Sequence, residues 1–265
     1  TTIEHLGLKL YSALPPVIAE LVSNGYDAEA PKVEIQVPEG DLDERSEVIV
    51  RDYGHGMSPQ EVQDEYLPIG RKRRGEDGKS VLSKHNKVRV TGRKGLGKLA
   101  ALGIADRMEV RAVHEGAAVC LRVEYDALMK WPRENPGRPY EPEVVPERTG
   151  STTEEEGVEV RLSHLRRRSP IKPGELRKAL ARRLAMIGPK FEVRVNGTPI
   201  GPGDRRNREE CADGFSWDVS DLPHGGTLTG GLAVTGWIGF TEKSSQAERD
   251  RGVDIFANGK AAELG

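Results

Sequence analysis

The sequence predicts an α+β domain in which helices and strands alternate, followed by a β-rich segment. Three observations carry this. An apolar helical pattern starts near Pro15-Pro16 and runs to about Ala28, then gives way to strand alternation at Val33, Ile35 and Val37. A second strand run, Val48-Ile49-Val50, ends in the turn Asp52-Tyr53-Gly54-His55-Gly56. Beyond about residue 200 helical periodicity fades and strand patterns take over, at Leu228 to Phe240 and Val253 to Ala257. A division into residues 1–195 and a β-rich extension over 196–265 follows.

The intervening elements read in order. Ser58-Pro59 starts a second helix, with Ser as N-cap and Pro in the first turn. Residues 68–97 hold many Gly, Lys and Arg and little periodicity, the signature of a long functional or disordered loop. Leu96 to Ala105 reads as a short helix, and Arg107 to Val113 and Ala118 to Val123 as strands around a Glu115-Gly116 turn. Residues 131–156, rich in Pro and Glu, read as a surface insertion. Val158 to Leu162 is a strand, Pro173 to Met186 a helix, and Phe191 to Val195 with Asn196-Gly197 a hairpin.

With 265 residues the chain can bury a sizeable core. Its 40 basic and 42 acidic residues nearly cancel, so no bulk preference for acidic or basic partners follows. Cys120 and Cys211 form neither a metal spacing nor a disulfide framework, which fits a reduced, cytoplasmic setting. No apolar run has the length of a membrane span and no signal peptide opens the chain. It opens at Thr1-Thr2 and stops at Glu263-Leu264-Gly265 without a terminal signature, as a piece of a longer protein would.

Three constellations carry chemistry. Glu20, Asn24 and Asp27 recur at i, i+4, i+7 and so share one helix face. Two carboxylates and an amide there suit a hydrated Mg²⁺ and the activation of water, although solvated polar faces are also common. The Asn24-Gly25 pair in mid-helix costs about 1 kcal/mol against Ala, so something other than helix propensity placed it. In the second constellation, Asp52 ends a buried strand and is followed by Gly54 and Gly56. An Asp in such a place can accept a hydrogen bond from an exocyclic amine, and glycines permit close backbone approach; a simple turn has the same composition.

The third is Gly92-Arg93-Lys94-Gly95-Leu96-Gly97-Lys98. Glycines ahead of a helix leave free N–H groups that bind anions. The stretch also reads G-x-x-x-x-G-K, a P-loop, with Val88-Arg89-Val90 as its strand. Leu99 stands where that motif needs Ser or Thr, and a P-loop leaves the first two constellations unexplained. A flexible basic loop is the plain alternative.

Taken in order, the three segments resemble the GHKL, or Bergerat-fold, ATPases of the HATPase_c type. Glu20 to Ala28 is similar to the N-box E-L-x-x-N-x-x-D-A, Asp52 to Gly56 to D-x-G-x-G, and Gly92 to Lys98 to the glycine box that closes the ATP lid. The motif-bearing part covers about residues 1–165. The resemblance implies a two-layer α/β sandwich, a mixed sheet with helices on one face, followed by the start of an S5-like transducer. It implies ATP and Mg²⁺ as ligands. Glu20 would be the general base and Asn24 the Mg²⁺ ligand, with Asp27 supporting that helix and Asp52 binding the adenine amine. Gly54, Gly56 and Met57 would flank the base. Gly92, Gly95, Leu96, Gly97 and Lys98 would hold the phosphates, under a lid spanning about 68–97. In place of the family's G-T-x-[VI] strand stands Gly157-Val158-Glu159-Val160, with Gly150 to Thr153 a poorer match.

A Glu at the head of the N-box favours hydrolysing members over histidine kinases. The nearest likeness is to prokaryotic MORC-like, MutL-like and Hsp90-like ATPases, which implies slow hydrolysis coupled to lid closure and homodimerisation. A catalytically weak, ATP-gated clamp or chaperone-like switch, gripping DNA or a client protein, is the alternative. Arg251 to Lys260 resembles a transducer strand and turn, and Lys243 is a conceivable γ-phosphate lysine. Two basic clusters, Arg71 to Arg74 and Arg166 to Arg168, could contact nucleic-acid phosphates or be ordinary solvated surface.

Overall fold

The computed structural model describes residues 13–62, 83–85, 88, 97–138, 140–204, 213–218, 235–240, 254–257 and 260–264. Helix α1 (Leu14–Asp27) carries its prolines in the first turn, where a missing N–H costs no helical bond. It buries Val17, Ile18, Leu21 and Val22. Its end is a Schellman turn: Ala30 N–H donates to Gly25 O and Glu29 N–H to Tyr26 O, both at 3.0 Å. The chain then enters β1 (Lys32–Gln36), and β2 (Val48–Asp52) pairs with it antiparallel, placing Val33 opposite Asp52.

A short helix, α2 (Pro59–Glu61), opens with a complete capping box: Ser58 Oγ accepts from Glu61 N–H and the Glu61 carboxylate accepts from Ser58 N–H. A 3-10 segment (Gly97–Gly103) stands where a short helix was expected and leads into the hairpin β3 (Ala105–His114) and β4 (Ala117–Glu124). Glu115 and Gly116 both turn with positive φ, 48° and 74°, the geometry that matches strand twist in a two-residue hairpin. Next come α3 (Tyr125–Glu134), β5 (Glu143–Val144), β6 (Gly150–Ser151) and β7 (Gly157–Leu165). Helix α4 (Pro173–Arg183) and the pair β8 (Glu192–Val195) and β9 (Thr198–Pro199) follow, the last turning at Asn196 and Gly197. Residues 131–156 are thus more ordered than a plain insertion, adding an end of α3 and two short strands to the sheet edge.

Nine strands form one mixed sheet in the order β5-β4-β3-β7-β2-β1-β8-β9, with β6 beside β4. Among the described residues only β1 and β8 pair in parallel. Alternate residues of β1, β2 and β7 are buried: Val33 and Ile35, Val48 and Val50, Val158, Val160 and Leu162. They join one apolar core with α1, the 3-10 segment (Ala100, Ala101, Leu102) and α4 (Leu176, Leu180). This is the expected large mixed sheet with few helices.

The intervening residues form a charged ladder. Glu109 faces Arg122 across β3 and β4, and Glu159 lies opposite Arg51 on β2 and Arg111 on β3. Arg148, from the turn before β6, spans Glu109 at 2.9 Å and Glu159 at 2.6 Å. Burial pushes the Glu109 carboxyl up, but the Arg122 and Arg148 guanidiniums outweigh it and hold it below the usual range. Such partly exposed pairs contribute roughly 0–1 kcal/mol each, so the ladder sets register more than stability. It also accounts for a chain so rich in charge with so little net charge.

Beyond Asp204 the described residues form two antiparallel pairs, β10 (Asp213–Asp218) with β11 (Thr235–Phe240), and β12 (Asp254–Ala257) with β13 (Lys260–Leu264).

Candidate functional site

Two of the segments singled out by sequence meet where Gly25 of α1 packs against Asp52 of β2, and the third is described only from Gly97 on. Glu20 and Asn24 are half-buried on one face of that helix, and Asp27 is buried. The 3-10 segment that begins at Gly97 and Lys98 packs against α1, with Ala100, Ala101 and Leu102 in the shared core. Gly92, Gly95 and Leu96, most of the 68–97 loop, Arg71 to Arg74 and Lys243 lie outside the described residues. Arg166 pairs with Asp106 at 2.7 Å and stacks over Tyr125, while Arg167 bonds Ser169 and Pro170. Two of that basic cluster's three charges are therefore already engaged.

Asp52 is the centre of the arrangement. It is 8% exposed at the end of β2, and its Oδ1 accepts from Gly54 N–H at 3.0 Å and Val158 N–H at 3.3 Å. Burial pushes its carboxyl up to about 6, against the pull of those two N–H groups. A carboxylate held this way keeps acceptor capacity in a low-dielectric setting, where a hydrogen bond from an amine is strong.

Three glycines, Gly25, Gly54 and Gly157, let neighbouring segments close on Asp52, and Gly56 lets the loop close on Val113. A Cβ on Gly54 would lie 2.6 Å from Ala28 O, and His55 N–H donates to that same carbonyl at 3.3 Å. At Gly56 (φ 62°) a Cβ would fall 1.9 Å from Val113 O, and at Gly157 (φ 141°) 2.1 Å from Asp52 O. Only glycine fits these two places, on grounds of both space and backbone. Gly157 thereby lets the following Val158 N–H reach Asp52, so the residue standing where the family has Thr supplies a backbone donor. Met57 is partly buried against the core.

Gly25 explains its own mid-helix position. A Cβ there would sit 2.8 Å from both Asp52 Cβ and Val33 Cγ2. Gly25→Ala therefore sets a helix-propensity gain of about 1 kcal/mol against overpacking of about 1–3 kcal/mol. Net destabilisation is expected by urea denaturation; a stabilised variant would show that α1 and β2 are not packed this tightly.

A group that sequence reasoning missed lies beside this loop. Glu29 has φ 59°, a left-handed conformation that costs a non-glycine residue about 1 kcal/mol or more. Its carboxylate accepts from Ser83 Oγ at 2.5 Å, His85 N–H at 2.7 Å and the His85 ring at 3.0 Å. No residue pattern signals a backbone of that kind.

A family model described as histidine kinase-, DNA gyrase B-, and HSP90-like ATPase matches residues 11–147. The chain belongs to this family. The match takes in α1, the Asp52–Gly56 loop and the 3-10 segment, so a GHKL ATPase-like, ATP-binding domain accounts for the first half of the molecule. Among curated proteins, "Putative type II restriction enzyme HgiDII" of Herpetosiphon aurantiacus is 28% identical over 280 residues, covering 98% of this chain and 43% of that protein. Among solved structures, the ATPase region of Saccharomyces cerevisiae topoisomerase II bound to ICRF-187 (dexrazoxane) matches with a TM-score of 0.46 at 11% identity, over 70% of this chain and 48% of that one. The chain spans less than half the length of either. The GHKL domain's sheet is antiparallel except at β1 and β8, unlike the parallel strand–loop–helix setting of a P-loop. Among the described residues no helix is long and apolar enough to cross a membrane, and no cluster of three His, Cys, Asp or Glu residues is placed to hold a metal ion.

Proposed function

We propose that this domain binds Mg²⁺-ATP between α1 and the Asp52–Gly56 loop and hydrolyses it slowly, with turnover coupled to lid closure and dimerisation. The observation that carries the reading is Asp52, a buried carboxylate at the end of β2 whose Oδ1 is held by Gly54 and Val158 N–H. Such a carboxylate can accept a hydrogen bond from the exocyclic amine of an adenine. Asn24, one turn beyond Glu20, is the Mg²⁺ ligand, and a single protein ligand suits an ion that keeps waters and shares phosphate oxygens. The ion neutralises charge on the phosphates. Glu20 accepts the proton of the attacking water. Gly92, Gly95, Leu96, Gly97 and Lys98 hold the phosphate end through backbone N–H groups and the lysine charge.

A second reading is an ATP-gated clamp on DNA with little turnover. What favours it is the likeness, over nearly the whole of this chain, to the Herpetosiphon relative named as a putative type II restriction enzyme. Titration calorimetry with Mg²⁺-ATP, run beside phosphate release and light scattering, separates the two. Binding with slow phosphate release and a dimer is the expected result. A dimer that holds ATP without releasing phosphate would put the clamp first, and no binding at all would overturn both.

A further inference from the structure

We propose that Glu29 is a positioning residue for the nucleotide site, fixing Ser83 and His85 against the Asp52–Gly56 loop. This rests on the ATP reading of that loop. Glu29 occupies the C′ position of the α1 Schellman turn, where the left-handed backbone makes glycine the default. A non-glycine residue there carries a backbone cost, which the hydrogen bonds of its carboxylate offset.

The carboxylate is 3% exposed and collects three donors from one short stretch: Ser83 Oγ, His85 N–H and the His85 ring. Ser83 passes the constraint on. Its Oγ accepts from Val88 N–H at 3.1 Å, and its own N–H donates to Val88 O at 2.9 Å, so Ser83 and Val88 are tied together at two points. Lys84 adds a 2.7 Å pair to Glu61 of α2. On the other side the His85 ring meets His55 edge-on, centroids 5.8 Å apart. His55 lies inside the Asp52–Gly56 loop and is tied to it by its ring nitrogen at 2.8 Å from Gly56 O. One carboxylate thus links the end of α1, Ser83 and His85, and through the His85 ring the loop that carries Asp52. Glycine at this position would suit the helix cap but could not accept these hydrogen bonds.

Glu29→Gly separates the two roles, because it improves the cap while removing the link. The expected melting temperature is within about 3 °C of wild type, as a relieved left-handed residue offsets much of the loss of the hydrogen bonds to Ser83 and His85. Amide exchange of a peptide covering 83–88 should lose its protection at His85. ATP affinity should fall ~10-fold, with kcat changed less than ~2-fold, the loss expected when charge-assisted bonds that order a site are removed. Glu29→Gln still accepts from Ser83 and His85 N–H and should lose no more than ~3-fold. Ser83→Ala should weaken ATP in the same direction as Glu29→Gly. Unchanged affinity in Glu29→Gly after protection is lost would overturn the proposal, as would protection that survives. Wild-type protein that binds no ATP would instead sink the site reading itself, a result visible before any variant is compared.

Discussion

Asp52→Asn should make the protein more stable at pH 7 and at the same time cost it at least ~100-fold in ATP affinity. Both effects come from one buried carboxylate. Burial lifts Asp52 to about 6, against ~3.9 in an unfolded chain. The folded state therefore binds this proton more tightly than the unfolded state. Stability from this group is fully present below about pH 4, declines as pH rises through the window from ~4 to ~6, and is lost above it. Asparagine carries no charge and removes that slope, which at pH 7 is worth on the order of 2–3 kcal/mol. Its Oδ1 can still accept from Gly54 and Val158 N–H, so the local fold survives. The amide group then presents a donor where the adenine amine would also donate, and the ligand's bond becomes a repulsion. Urea denaturation across pH 4–8, with calorimetry at pH 7, checks both halves. An Asp52→Asn variant that bound ATP like wild type would place the base elsewhere, and an unchanged stability slope would mean that Asp52 is already solvated.

Glu20→Ala should retain ATP within about threefold and lose ~10²–10⁴-fold in turnover, the range for a general base. Glu20 lies half-buried on the α1 face that also carries Asn24, one turn further on. A side chain on a rigid helix can orient a water without moving far, which is what a base at a phosphate needs. The loss should fall on the chemical step, since Glu20 would touch the water and not the nucleotide. Single-turnover phosphate release beside calorimetry tests this. Normal turnover in the variant would move the base to another residue.

The core-forming pattern was legible because it is periodic. Val33 and Ile35, then Val48 and Val50, alternate along the sequence as they do between the faces of the sheet. The hairpins at Glu115-Gly116 and Asn196-Gly197 were legible because turn residues announce left-handed backbone. Strand β10 was not, since Asp, Gly and Ser interrupt its apolar residues and it takes its order from pairing with β11. Helix α3 was not either: Leu128 is its only buried residue and Pro132 sits inside it.

By itself the sequence determined the alternation of helix and strand, the shared face of Glu20, Asn24 and Asp27, and the glycines after Asp52, because each is a local, repeating constraint on the backbone. Only the tertiary structure decided what those residues meet. Gly25 is glycine because Asp52 and Val33 press on it from another strand, and Gly157 because the Asp52 carbonyl lies where a side chain would be. Glu159 on β7 meets Arg51 on β2 and Arg111 on β3, strands far apart in the chain. Glu29 gains its partners 54 and 56 positions away. Contacts of that kind are set by packing and register, which no local stretch of sequence contains.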